Sequence, residues 1–397
     1  MLKADSLPGE TGQSPLPSTA SLLIIGGGIM GLWAAVKAER LGIDTLLVDA
    51  GKFGSGASGG LLGALMPHMP DRWSDKKQFQ FDALLSLEAE IRVLEAETGL
   101  SAGYRRCGRI IPLPKPHLRP IAERHQNDAL TNWSHAGQQF HWHLLDALPV
   151  GGWINPAAGE AGFVQDTFAG RVAPRSFVAM LAAYLRTAKH VRVVEECGVT
   201  NLDAGGTATL ANGQSVLFDH AIVAAGHQSF PLLSDTFHLP PQPRLGQPVK
   251  GQAALLQANV DPSMPVVFLN GLYIVPHEDG TVAIGSTSEE EFDDAFSTDE
   301  KLEALIAKAI QIVPSLSKAA VLERWAGLRP KAIGREPMVG VHPEHSRIVA
   351  LTGGFKVSFG LAHRLADAAL NAVQGRALDV PTSFTTEDHI HVFNRNI

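Results

Sequence analysis

Cysteine is nearly absent: Cys107 and Cys197 are the only two, far apart and with no C-x-x-C pair. So few exclude a disulfide framework or a cysteine zinc site, and suit a reducing compartment in which both are inert thiols. Clustered positive charge is missing too, since 33 basic residues stand against 40 acidic ones for a net charge of -7, and no Lys/Arg block stands out. This excludes a nucleic-acid footprint. No apolar run approaches the ~18 consecutive residues a membrane span needs. Residues 1–20, MLKADSLPGETGQSPLPSTA, are rich in proline and small polar residues, with no stretch of signal-peptide length, and read as a mobile tail. A soluble, cytoplasmic protein is expected. The pairs His141-x-His143 and His389-x-His391, read as strand-like, have no acid or cysteine at ligand spacing, so no metal site is expected.

What is present is glycine in one telling place. Residues 22–31 read LLIIGGGIMG, within a 397-residue chain whose 45% hydrophobic content can bury the cores of two domains. Ser21 to Ile25 make a buried-strand pattern, Gly26-x-Gly28-x-x-Gly31 follows at once, and Leu32 to Leu41 read as a helix ending near Gly42. In such a unit the first glycine permits the tight turn and the second lets backbone approach a pyrophosphate. The third lets helix and strand pack closely, with the anion on the helix N-terminus beside Ile29 and Met30. A second strand, Asp44 to Val48, delivers Asp49 and Ala50. Asp49 stands near the ~20-residue spacing of the carboxylate that binds a ribose 2′-hydroxyl, and an acid there disfavours NADP.

The stretch Gly54-Ser-Gly-Ala-Ser-Gly-Gly-Leu-Leu-Gly-Ala64 is a second small-residue loop, containing Ser55, Ala57, Ser58 and Gly63. A plain nicotinamide dehydrogenase does not need one here, so a longer, buried cofactor is expected. With these loops the chain resembles the D-amino acid oxidase (DAO) family of FAD flavoproteins and is most similar to glycine oxidase, from about Ser21 to Ala377. Val191 to Val199 resembles the strand whose end meets the adenine, and Ala221-Ile-Val-Ala-Ala-Gly226, with Ala225 and Gly226, the strand and turn closing the FAD site. Pro248-Val-Lys-Gly-Gln252 and Tyr273-Ile-Val-Pro276 resemble substrate-domain strands; Trp325-Ala-Gly-Leu-Arg-Pro330 with Gly334-Arg-Glu-Pro337 is the most specific match. Leu351-Thr-Gly-Gly-Phe355, running into Phe359-Gly360, resembles the last strand, glycine loop and helix.

The resemblance implies one non-covalent FAD per chain, held by these loops. Around Gly353 and Gly354, unpaired backbone N–H groups and the positive end of a helix beginning near Gly360 either face one charged group, which in a flavoenzyme is the reduced ring's N1/C2=O locus, or are ordinary strand-to-helix punctuation. Lys356 stands where glycine oxidase has an arginine and either helps hold that anion or is solvated. Arg329 lies in a segment too apolar for an idle guanidinium, which therefore requires an anionic partner. That partner is the substrate's α-carboxylate, as the resemblance implies, or one of the protein's own acids. Tyr273, one of only three tyrosines, either gives the carboxylate a second hydrogen bond or packs on its strand. Where glycine oxidase has methionines near the flavin, this chain has Leu61 and Ser288, and His68 is a pocket neighbour, a flavin attachment point or a solvated loop residue.

The expected fold is α/β: a Rossmann-like FAD-binding domain of the DAO type assembled from 20–90, 165–235 and 335–377. A second domain with a mixed or antiparallel sheet comes from 91–164 and 236–334, and 378–397 is a C-terminal tail. Glu278-Asp-Gly280 is expected to be a turn and Leu302 to Val313 an amphipathic helix. The implied reaction is oxidation of a small amino acid or secondary amine (glycine-like, D- or N-alkyl) by hydride transfer to flavin N5. The imine is hydrolysed to a keto acid and an amine, and O2 is reduced to H2O2. The alternatives are a dehydrogenase passing electrons to a quinone or electron-transfer protein, and a non-catalytic flavin-binding module. A homo-oligomer is left open.

Overall fold

The computed structural model describes residues 16–148 and 152–397. The apolar run ahead of the glycines forms the strand Thr19–Ile25, paired in parallel with Thr45–Val48 on one side and Ser215–Val223 on the other. Val191–Val194 extends this sheet beyond Thr45–Val48, and the other side carries His345–Thr352, both parallel. Antiparallel strands complete it: Thr207–Leu210 and Val199–Asp203 beyond Ser215–Val223, and Met338–His342 beside His345–Thr352. Successive residues of the central strand face opposite sides, so Leu22 and Ile24 join the helices Ile29–Leu41, Asp75–Thr98, Pro174–Arg186 and Ser358–Val373 in one core. Leu23 and Ile25 join Phe230, Leu233, Ile390 and Phe393 in another. Helices thus cover both faces, which explains why the parallel strands read as continuous apolar runs.

The second sheet runs Ala320–Ala332, Gly246–Gln257, Thr281–Gly285, Leu272–Pro276, Val266–Leu269, Arg109–Pro112, Phe163–Asp166, Trp142–Leu145. It is mixed, because Val266–Leu269 pairs in parallel with Arg109–Pro112 while the other pairs are antiparallel. Helix Glu300–Ile312 buries Leu302, Ile306, Ala309 and Ile312 against Ala254, Leu256, Ile274 and Ile284 on one face. The alternate residues Ala253, Tyr273, Val275 and Ala283 look the other way, onto Leu61 and Leu62 of the second glycine loop.

Three boundaries differ from expectation. Most of the N-terminal tail, residues 1–15, lies outside the described residues, while Thr19 and Ala20 already belong to the central strand. Residues 378–397 are not a free tail: Thr386–Arg395 is a helix, capped by the Thr385 hydroxyl, and burial of Ile390 and Phe393 fixes it to the first sheet. That helix also carries His389-x-His391, so these histidines are not on a strand. Finally, helix Asp75–Thr98 runs past residue 90 and packs beside Ser358–Val373, because its apolar positions Phe79, Ala83, Leu84, Leu87, Ile91 and Leu94 recur at helical spacing throughout.

Glu278, in the turn between Leu272–Pro276 and Thr281–Gly285, accepts hydrogen bonds from Arg105 at 2.7 Å and from the fully buried Arg171 at 2.8 Å. Hydrogen bonding to Arg105 first, and to Arg171, lowers its pKa from 4.5 to about 2. A carboxylate depressed in the folded state contributes stability that is full above its unfolded pKa and is lost as pH falls through the folded one. Stability should therefore fall between pH 4.5 and about 2, and Glu278→Gln should flatten that part of a Tm-against-pH profile. An unchanged acid limb in the variant would deny Glu278 this role.

Candidate active site

Between the two sheets lies a cavity of about 890 Å³, and the glycine loops form its floor. Gly26 has φ +108°, where an added Cβ would come within 2.5 Å of the Ala224 carbonyl oxygen, so only glycine makes this turn. At Gly31 a Cβ would lie 1.8 Å from the Gly26 carbonyl oxygen, the close helix–strand approach expected of the third glycine. Helix Ile29–Leu41 starts at Gly28, which has no side chain of its own to cap it, and its N-terminal end faces the cavity. Ser58 reaches from the second loop to accept a hydrogen bond from Ile29 N at 2.9 Å, locking the two loops together. Asp49 accepts from Gly27 N at 2.5 Å and Gly51 N at 2.7 Å. Burial raises its pKa, the two backbone hydrogen bonds opposing the shift.

The structure brings almost all the expected residues to this one cavity. Gly26, Gly28, Ile29, Met30, Asp49, Ala50, Ser55, Ala57, Ser58, Gly63, Val199, Ala225, Gly226, Lys356, Phe359 and Gly360 line it, as do Arg329, Tyr273, Leu61 and His68. Gly31, Gly353 and Gly354 do not line it. They serve close packing: a Cβ on Gly353 would meet that of Ala332 at 2.8 Å, and one on Gly354 would meet Met30 at 2.3 Å. Ser286, not Ser288, is the serine at the wall. Thr352 donates its hydroxyl to the Gly226 carbonyl at 2.9 Å, joining the last strand to the turn after Ser215–Val223.

Arg329 is held by three acceptors: Ser286 Oγ at 2.9 Å, Lys250 O at 3.3 Å and Thr287 O at 2.5 Å. Among the described residues no carboxylate pairs with it, and its Nε lacks any hydrogen-bond partner. Desolvation lowers its pKa to about 10, which leaves it cationic at neutral pH. Its guanidinium stands 5.5 Å from the Phe355 ring. Tyr273 is on the next strand but one from the arginine's strand partner and packs on Phe268. Burial raises its hydroxyl pKa, so it stays a protonated donor. Lys356 is exposed, but part of that exposure is to the cavity it lines, and desolvation followed by Arg329 lowers its pKa. Desolvation, with Lys76 and Lys77, pulls the His68 pKa down to about 4, so this imidazole is neutral above that pH.

Sequence reading missed Arg109. It lines the cavity and is 2% exposed. The signal was available, an arginine opening the apolar strand Arg109-Ile-Ile-Pro112, and is the same signal that marked Arg329. Of the two histidine pairs, His141 and His143 stack at 4.9 Å. A different group, His342, Glu344 and His345, brings ligand-type atoms within 4.8 Å of one another. Both its imidazoles pack on Phe237, and His342 Nδ1 accepts from Glu344 N at 3.1 Å.

A glycine turn with φ requirements, a helix start facing the cavity, a half-buried carboxylate after the second strand and a dinucleotide-sized cavity fit FAD, and define a flavin-dependent oxidoreductase. The chain belongs to the FAD dependent oxidoreductase (DAO) family, whose profile matches residues 21–368. Among curated relatives it is 28% identical to the bifunctional protein ThiO/ThiG of Synechocystis over 85% of this chain, spanning about half (49%) of that protein. It is 27% identical to glycine oxidase of Pseudomonas putida, over 86% of this chain and 91% of that one. The glycine oxidase structure from Geobacillus kaustophilus superposes with a TM-score of 0.83 at 21% identity, covering 93% of this chain and 99% of the other. No helix among the described residues is long and apolar enough to cross a membrane.

Proposed function

We propose that the chain oxidises the C–N bond of a small amino acid or secondary amine, glycine-like, D-configured or N-alkylated, and that O2 takes the electrons. The observation that carries this is Arg329: a desolvated guanidinium, fixed by three neutral acceptors and without a carboxylate of its own, in the wall of the flavin cavity. A planar fork in that setting suits a substrate carboxylate. The glycine oxidases among its relatives support the choice of amine.

Gly26, Gly28 and the start of the helix at Ile29 would hold the pyrophosphate of FAD, Asp49 the ribose, and the Thr352–Gly360 segment the ring. Bound FAD supplies the two-electron acceptor for the substrate's α C–H. Arg329 anchors the carboxylate and Tyr273 donates to it, which orients the α-carbon. Ser286 and the Lys250 and Thr287 carbonyls keep the guanidinium from swinging away. An amine that binds neutral needs no strong base, and water hydrolyses the imine to a keto acid and an amine without help from the protein. His277 is buried behind Leu61, whose carbonyl it meets through Nε2 at 2.9 Å, and takes no part.

Acid precipitation should release a yellow chromophore from the protein, as expected of non-covalent FAD; a pellet that stays yellow would show attachment, with His68 the first residue to map. Anaerobic mixing with D-, L- and N-alkyl amino acids should bleach the flavin, and air should restore it with one H2O2 per turnover. Bleaching followed by slow recovery in air would replace the oxidase with a dehydrogenase. No bleaching by any amine would leave a binding module.

A further inference from the structure

The substrate reading above places a carboxylate at Arg329; farther along the same sheet wall stands Arg109, which that reading does not use. Its side chain is 3% exposed and meets Asp166, itself fully buried, at 2.6 Å between Nη2 and Oδ2. The contact is short but out of line, since neither of these atoms, nor Arg109 Nε, meets hydrogen-bond geometry with any partner. Asp166 spends its other oxygen on Phe168 N at 2.7 Å and Ala169 N at 3.0 Å, which fixes the carboxylate. The remaining guanidinium nitrogen, Nη1, makes no hydrogen bond among the described residues and is not sealed off as the other two are. The Trp142 ring packs 5.6 Å from the guanidinium. A buried guanidinium with donors left over is costly unless something accepts from it.

The sheet sets the reach. Arg329 grips Ser286, just beyond Thr281–Gly285; Tyr273 is on the neighbouring strand, Phe268 on the one after, and Arg109 on the next. Phe268 pairs with Tyr273, and Arg109 with Val266, two residues before Phe268 on the same face, so these side chains share the cavity side. Three interstrand steps of about 4.8 Å, roughly 14 Å between backbones, separate the strand leading to Ser286, where the Arg329 guanidinium is held, from the strand of Arg109. With Arg109 leaning inward from its strand, and an oxygen at about 2.8 Å from each guanidinium, room remains for a short carbon chain between two acceptor groups.

We propose that Arg109 forms a second substrate subsite, and that the preferred substrate carries, beyond its α-carboxylate, a distal oxygen acceptor: a carboxylate or carboxamide two to four bonds past the α-carbon. Because Asp166 balances the charge of Arg109, the subsite offers hydrogen bonds more than net charge, and both acceptors fit. Phe268 and Tyr273 cover the carbon chain between the ends.

The test is binding to the FAD-loaded protein, read as perturbation of the flavin's visible spectrum. Glutarate and its monoamide should bind at least 30-fold more tightly than 5-methylhexanoate, an isostere lacking the distal oxygens. Between the first two, a preference for glutarate would assign a carboxylate side chain and equal binding either group. In Arg109→Met/Asp166→Asn, which removes both charges together, the discrimination should fall at least tenfold; Arg109→Lys, which keeps the pair, should lose less and serves if the double variant does not fold. Equal binding of glutarate and 5-methylhexanoate, or discrimination that survives both variants, overturns the subsite. Bleaching by amines alongside equal binding would leave the oxidase reading intact without it, whereas strong discrimination with no bleaching would leave the subsite and remove the oxidase.

Discussion

Arg329→Ala should lower kcat/KM by roughly 30- to 1000-fold while the purified protein keeps its FAD, because losing a charge-assisted bidentate contact costs about 2–4 kcal/mol. Two features of the structure make the effect large and confine it to the substrate. Among the described residues no carboxylate pairs with the guanidinium, so truncation orphans no buried acid there. Its partners are a hydroxyl and two carbonyls, of which the hydroxyl can turn elsewhere. Arg329→Lys should recover only part of the loss, since an ammonium cannot reproduce the fork. Steady-state kinetics with the best amine of the panel, beside a flavin spectrum, measures both. Normal turnover by Arg329→Ala, or substrates without a carboxylate, would end the docking scheme.

The second large effect separates two glycines of one motif. Gly31→Ala would force a methyl to 1.8 Å from the Gly26 carbonyl oxygen, a collision with backbone that no rotamer relieves. Overpacking of this kind typically costs 1–3 kcal/mol and more when backbone must shift, and here the backbone that shifts is the pyrophosphate turn. Gly31→Ala should therefore lose both thermal stability and flavin. Gly28→Ala meets only the Ser58 hydroxyl at 3.3 Å, so it should fold while holding FAD more than tenfold more weakly, because its methyl points where backbone must approach the cofactor. Melting curves and the ratio of flavin to protein absorbance after gel filtration distinguish the two. If Gly31→Ala kept a full complement of flavin, the packing argument for that glycine would fail.

How far the sequence was legible depended on whether the signal was local. The glycine turn, Asp49 and the second small-residue loop are contiguous patterns with a physical reason at each position, and they lie together at the cavity. Arg329 was legible because charge in an apolar segment demands a partner. Arg109 carried the same signal and was missed, since its meaning depends on Asp166, the antiparallel partner that comes from a strand far along the chain. Gly353 and Gly354 looked like cofactor contacts, but what they approach, Ala332 and Met30, is set by tertiary packing. The C-terminal helix was read as a tail because its apolar residues Ile390 and Phe393 are few among polar ones, and only the sheet they cover gives them a reason.

The order of pairing in the first sheet governs when the protein can acquire its cofactor in a cell. Leu22 to Ile25 are synthesised well before their partner Ala221–Val223 and that strand's own neighbour Ile348–Ala350. At about 5–20 residues per second, the first strand waits on the order of 10–40 seconds with an open, wholly apolar edge. Nor can the nascent chain close the cavity before Leu351, Thr352 and Phe355 to Gly360, which form part of its wall, have been made. Flavin loading in consequence waits for the synthesis of Gly360, and the interval before it is when chaperone protection of the first strand matters most.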